Sequence, residues 1–205
     1  MTANASRPTR SELILGGQKS GKSRRAEALA QSWLKQSGSH RAVLIATAYA
    51  GDDEMRQRIA HHQSDRAQRV PGMTTVEEPL HLAQALTRHS RPDTLIVVDC
   101  LTLWLTNWLM PVELATVRET SELAASQSPE RAYQAQQAML FDVIKTTPGP
   151  LVLVGNEIGL GVIPLGREVR AFVDALGLFN QSVAQICQRV TLMAAGLPLT
   201  LKDKQ

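Results

Sequence analysis

Gly16-Gly17-Gln18-Lys19-Ser20-Gly21-Lys22-Ser23 fits the spacing Gly-x-x-x-x-Gly-Lys-Ser, and each residue type in it suits a polyphosphate. The glycines let the backbone turn until its N–H groups face phosphate oxygens. The lysine reaches the β- and γ-phosphates, and the hydroxyl after it sits on Mg2+. A helix beginning at that point adds its partial positive charge. A glycine-rich turn that binds nothing could share the spacing but would not need the same surroundings. Here Leu13-Ile14-Leu15 reads as a short strand before the loop. After it, Ala26, Leu29, Ala30, Trp33 and Leu34 recur at i, i+3, i+4, i+7 and i+8, an amphipathic helix that Gly38 would stop.

A second candidate is Asp99, which ends an apolar run in "TLIVVDCLTLWLTNWL". A carboxylate there would help hold Mg2+ opposite the Ser23 hydroxyl. Its other reading is an N-cap for the segment that follows. Trp104 and Trp108, spaced i, i+4, read as packing.

Elements must carry these residues to one place. Apolar runs predict strands over 12–15, 42–46, 94–99, 151–154 and 190–194, with a further strand over 197–201. Helical patterns cover 23–36, 52–63, 80–88, 130–145 and 168–188. Such alternation predicts an α/β fold, its mostly parallel sheet flanked by helices on both faces, and with the glycine loop after the first strand the class is P-loop NTPase-like (RecA-like). Ligands then belong at the C-terminal ends of the strands, which is where the glycine loop stands. The polar stretch 119–130 reads as a surface excursion. Residues 1–11 read as a disordered lead-in, and 12–205 as one domain.

The chain has 205 residues, 43% hydrophobic and 20% charged, which suits a single α/β domain with a sizeable core. A net charge of +3 with the signs mixed argues against nucleic acid, and 4% aromatic residues leave no stacking platform for single strands. Cys100 and Cys187 show no metal spacing and stand in apolar contexts, as buried free thiols of a reducing cytoplasm would. No apolar run reaches transmembrane length, and the N-terminus lacks a secretory apolar centre.

Two histidines stand in "AYAGDDEMRQRIAHHQSDR". Asp52 is a natural N-cap for a helix there. With Met55 at the origin and about 100° per residue, Ile59 falls at about 40° and His62 at about 340°, on the apolar stripe, while His61 falls at about 240°. His62 therefore reads as a packed residue. His61 shares the polar face with Glu54, Gln57, Arg58 and Asp65 and can face a ligand. An exposed helix histidine without chemistry is the other reading.

Taken together, these stretches resemble the bifunctional adenosylcobinamide kinase / adenosylcobinamide-phosphate guanylyltransferases of cobalamin biosynthesis, from Glu12 onward. "GGQKSGKSRRAE" resembles the family's P-loop, and "IATA" followed by "DDEMRQRIAHHQSDR" its second segment. "VEE" at 76–78, "DCLTLWLTN" at 99–107, "GNEIGLGVIP" at 155–164 and "VDALGLFNQ" at 173–181 follow in the family's order. The resemblance implies two reactions. ATP or GTP phosphorylates the aminopropanol hydroxyl of adenosylcobinamide. GMP from GTP then passes through a histidine, here His61, to that phosphate, giving adenosylcobinamide-GDP. The same resemblance carries nucleotide contacts onto Gly16 to Ser23, onto Ala46, Thr47 and Ala48, onto His62, Gln63, Ser64 and Asp65, and onto Glu77 and Asp99. Lys22 is then catalytic, Ser23 and Asp99 hold Mg2+, and the enzyme is a cytoplasmic homo-oligomer, a trimer.

Three positions depart from the family's pattern. Leu15 stands where threonine is frequent. Lys19 replaces an arginine, keeping charge without the fork geometry. Val173 stands where an arginine commonly precedes the aspartate. The segment from His62 to Glu77 is also longer by a few residues. Two other readings are a single-activity P-loop kinase with a structural histidine pair, and a nucleotide-gated binding module.

Overall fold

The computed structural model of the chain describes residues 10–49, 68–110 and 129–204. Seven strands form one sheet: β1 (Ser11–Gly16), β2 (Arg41–Ala46), β3 (Met73–Glu77), β4 (Thr94–Asp99), β5 (Leu151–Val154), β6 (Arg189–Ala194) and β7 (Leu197–Asp203). Their order is β3-β2-β4-β5-β1-β6-β7. Every pairing is parallel except the closing hairpin of β6 and β7. The fold is the α/β, P-loop NTPase-like one that the alternation of patterns and the glycine loop together predict.

Strand periodicity explains how both faces are filled. Leu13 and Leu15 point to one side of β1 and Ile14 to the other. Ile14, Leu44, Val97 and Val152 pack under Ala26, Leu29 and Ala30 of helix α1 (Lys22–Gln36). Leu13, Ile45, Val98 and Leu153 pack on the opposite face. That face is covered by α2 (Leu82–His89), α3 (Leu101–Leu109), α4 (Pro129–Thr146) and α5 (Arg167–Ile186).

Two described elements are absent from the sequence reading. Strand β3 is an edge strand whose residues are half-buried or exposed, so "MTTVE" needs no apolar alternation. Helix α3 is buried nearly all round, with Trp104 and Trp108 in the core, so its sequence shows no polar face to betray a helical period. The tryptophans do pack as expected. Both indole N–H groups donate to the Leu80 carbonyl, at 2.9 and 3.3 Å. The helix expected over 52–63 lies outside the described residues.

Candidate active site

The C-terminal ends of β1, β4 and β5 meet at the glycine loop. Gly16 has φ 153°, and a Cβ there would come within 2.6 Å of both the Met193 carbonyl and Ser20 Oγ, so only glycine fits. Gly21, at φ 102°, starts α1. Neither a side-chain cap nor an acidic residue occupies the first turn of that helix, which leaves its leading N–H groups for an anion. The turn between β6 and β7 braces the loop from behind, Gly196 N donating to Ser20 O at 3.0 Å.

Gln18 and Lys19 are exposed on the outer arc of the loop. The Lys22 ammonium is buried and donates to the Gly17 carbonyl at 2.6 Å. Burial lowers its pKa, and nearby Cys100 and Asp99 pull it back up. Ser20 Oγ is buried and has no hydrogen-bond partner among the described residues. A buried hydroxyl without a partner, a buried ammonium and a helix N-terminus together fit a phosphate chain.

Ser23 Oγ donates to Asp99 Oδ2 at 3.0 Å. A hydroxyl and a carboxylate oxygen meeting at the foot of a phosphate cradle are the hard donors Mg2+ takes, alongside phosphate oxygens and water. Asp99 also lies in register with Ala46 of β2, which in turn pairs with Glu77 of β3. Ala46, Glu77 and Asp99 thus form one row along the sheet edge.

Thr47 follows that row and is fully buried. Its hydroxyl donates to the Cys100 carbonyl at 2.6 Å and accepts from Cys100 N at 2.9 Å. Its own N–H donates to Asp99 O at 3.2 Å, and its carbonyl accepts from Asn107 Nδ2 at 2.8 Å. Every polar atom of Thr47 therefore has a protein partner, and the residue serves to lock the end of β2 to Asp99. Half-buried Ala46 and Ala48 flank it. Asn107 Nδ2 also donates to Pro79 O at 3.0 Å, tying the ends of β2 and β3 to α3.

The model of one family, "Cobinamide kinase / cobinamide phosphate guanyltransferase", matches residues 12–201. This chain belongs to that family. It is similar to the bifunctional adenosylcobalamin biosynthesis protein CobP of Pseudomonas aeruginosa, 44% identical over 194 residues, which cover 94% of this chain and 98% of that protein. Bifunctional adenosylcobalamin biosynthesis proteins CobU from Escherichia coli and Salmonella typhimurium are 33% and 34% identical over 190 residues, each match covering 93% of this chain and 98% of the relative. The chain is a bifunctional transferase, a kinase and a nucleotidyltransferase built on one P-loop fold.

For this kinase and guanyltransferase the described residues assemble the loop from Gly16 to Ser23, with Asp99 against it and Ala46, Thr47, Ala48 and Glu77 along the same edge. His61, His62, Gln63, Ser64 and Asp65 lie outside the described residues. Thr102, Asn107, Asn156, Glu157 and Asn180 stand at the same edge and carried no role in the sequence reading. "DCLTLWLTN" and "GNEIGLGVIP" hold four of them, so the signal lay in stretches already matched to the family.

Both cysteines are buried and free, as their apolar contexts predict. Burial, and then the Asp99 charge, push the Cys100 thiol up to about 11, and burial pushes Cys187 up to about 12, from an ordinary value of 9.0. The folded protein thus holds both protons more tightly than the unfolded chain. Stability is unaffected by these groups below about pH 9 and falls as pH rises from there to about 12. Denaturant midpoints at neutral pH and at pH 10 and above should show that loss. A thiol reagent at pH 8 should titrate neither cysteine until denaturant is added.

Proposed function

We propose that the chain phosphorylates adenosylcobinamide on its aminopropanol hydroxyl and then transfers GMP onto that phosphate through a histidine, in the cytoplasm. The observation that carries the nucleotide part is the Ser23–Asp99 contact of 3.0 Å beside Lys22 and the glycine loop. ATP or GTP would lay its phosphates along the N–H groups of Gly16 to Ser23. Mg2+, held by Ser23 and Asp99, would supply charge neutralisation at the phosphates. Lys22 would leave the Gly17 carbonyl for the β- and γ-phosphates, stabilising charge that develops as the phosphoryl group moves.

The histidine part rests on the family's double activity and on His61's place on the polar side of its helical wheel. A neutral imidazole nitrogen attacks the α-phosphorus of GTP, and pyrophosphate leaves. The phosphoramidate then passes GMP to the cobinamide phosphate, so one difficult displacement becomes two easier ones. Arg58, one turn from His61, would hold phosphate, and Glu77 would meet GTP from the end of β3.

Asp99→Asn tests the metal assignment. It removes the metal-facing charge while keeping an oxygen for the Ser23 hydroxyl. The Mg2+ concentration for half-maximal turnover should rise by about 10- to 100-fold, with nucleotide binding in the absence of Mg2+ little changed. Turnover that follows the wild-type Mg2+ titration would assign Asp99 to holding the fold instead.

A further inference from the structure

We propose that Glu157 is the catalytic base of the kinase step, the group that takes the proton from the acceptor hydroxyl. The inference rests on the reading that the glycine loop binds the phosphate donor. Strand β5 lies between β1, which carries that loop, and β4, which ends in Asp99. Beyond Val154 the chain continues the parallel ladder along β1. Gly155 N donates to Ile14 O at 2.9 Å and Glu157 N to Gly16 O at 3.1 Å. Glu157 is thereby bonded to the first residue of the phosphate loop.

Its position is built rather than incidental. Asn156 N donates to Thr102 Oγ1 at 2.7 Å, on the helix that follows Asp99, and Asn156 O accepts from Asn180 Nδ2 at 3.1 Å. Thr102 and Asn180 are both buried. Three anchors, from β1, α3 and α5, thus fix the residue before Glu157 and Glu157 itself. A base must be held in this way to act on a bound hydroxyl. Glu157 is half-buried, and its Oε1 accepts from Gly159 N at 2.9 Å. That leaves Oε2 for a proton.

Three other described carboxylates at the strand ends are placed differently. Asp99 accepts from Ser23. Glu78 Oε1 accepts from Leu80 N and His81 N ahead of α2. Glu77 ends β3, on the far side of β2 and β4 from the loop strand. Beyond Glu157 the chain exposes Leu160, Val162 and Ile163, so among the described residues nothing covers the side from which an acceptor would approach. In the step itself, Glu157 takes the hydroxyl proton as the acceptor oxygen bonds to the γ-phosphorus. The bond from that phosphorus to the bridging oxygen breaks, and its electron pair leaves with the nucleoside diphosphate.

Glu157→Gln separates base from brace, because the amide oxygen can still accept from Gly159 N but cannot take a proton. The kinase kcat should fall by about 10²- to 10³-fold, with the KM for nucleotide within about threefold of wild type. Guanylyl transfer onto supplied cobinamide phosphate should persist. Glu157→Asp, which keeps the carboxylate, should recover part of the kinase rate and serves if the glutamine variant does not fold. A kinase rate in Glu157→Gln equal to wild type would overturn the proposal and leave a loop brace. So would equal loss of kinase activity and nucleotide affinity. Wild-type protein without cobinamide kinase activity would sink the proposed function instead, a failure visible before any variant is made.

Discussion

Lys22→Ala is expected to lose both reactions. Only one Gly-x-x-x-x-Gly-Lys-Ser occurs in the chain, and the ammonium of its lysine is the buried cation at the centre of the cradle. Removing one preorganised charge at a developing phosphate oxyanion costs on the order of 10²- to 10³-fold in rate. Both steps break a bond in a nucleoside triphosphate, so both should fall by that order. The fold should survive, since among the described residues the Lys22 ammonium hydrogen-bonds to its own loop, at the Gly17 carbonyl. Measuring both activities on the same preparation decides the matter. Full guanylyl transfer from Lys22→Ala would mean a second triphosphate site elsewhere on the chain.

His61→Ala is expected to divide the two reactions. Phosphoryl transfer needs the cradle, the metal and a positioned hydroxyl, none of which the imidazole supplies. Guanylyl transfer loses its nucleophile and should drop on the order of 10⁴-fold or more, as removal of a catalytic nucleophile does elsewhere. His62→Ala should touch both steps modestly or lower stability, because its place on the wheel is the apolar stripe. A His61→Ala enzyme that still converts cobinamide phosphate to the GDP form at the wild-type rate would refute the covalent route.

The parts of this site that could be read from sequence are those whose physics is local. The glycine loop declares itself because backbone turning, charge and hydroxyl must occur at fixed spacing, and because Leu13 to Leu15 and Ala26 to Leu34 show the periods of strand and helix on either side. Asp99 was visible as the end of a buried strand. What bears on its two readings, metal and cap, is Ser23 Oγ, 3.0 Å away in space and 76 residues back in the chain, a contact that no local pattern shows. The hydrogen bonds that hold Thr47 run to Cys100 and Asn107, residues more than fifty positions distant, and no local pattern shows them. Glu157 was hidden for a related reason. Nothing local marks a glutamate in "GNEIGLG" as lying beside Gly16. The strand order does, because it places β5 between β1 and β4, and order across a parallel sheet is not written in the periodicity of any one strand.

The most direct test of the two-step account is mass spectrometry of the wild-type protein after incubation with GTP and Mg2+, with peptide mapping of any adduct. The account predicts one guanylyl group per chain, on His61, lost in acid and kept in base as a phosphoramidate is. Its yield should fall below about pH 6, where an ordinary imidazole is protonated and has no lone pair to offer. Supplying cobinamide phosphate should discharge it. A guanylyl group found on Ser23, Lys22 or His62, or a GTP-treated protein that makes product while carrying no adduct at any time, would contradict it.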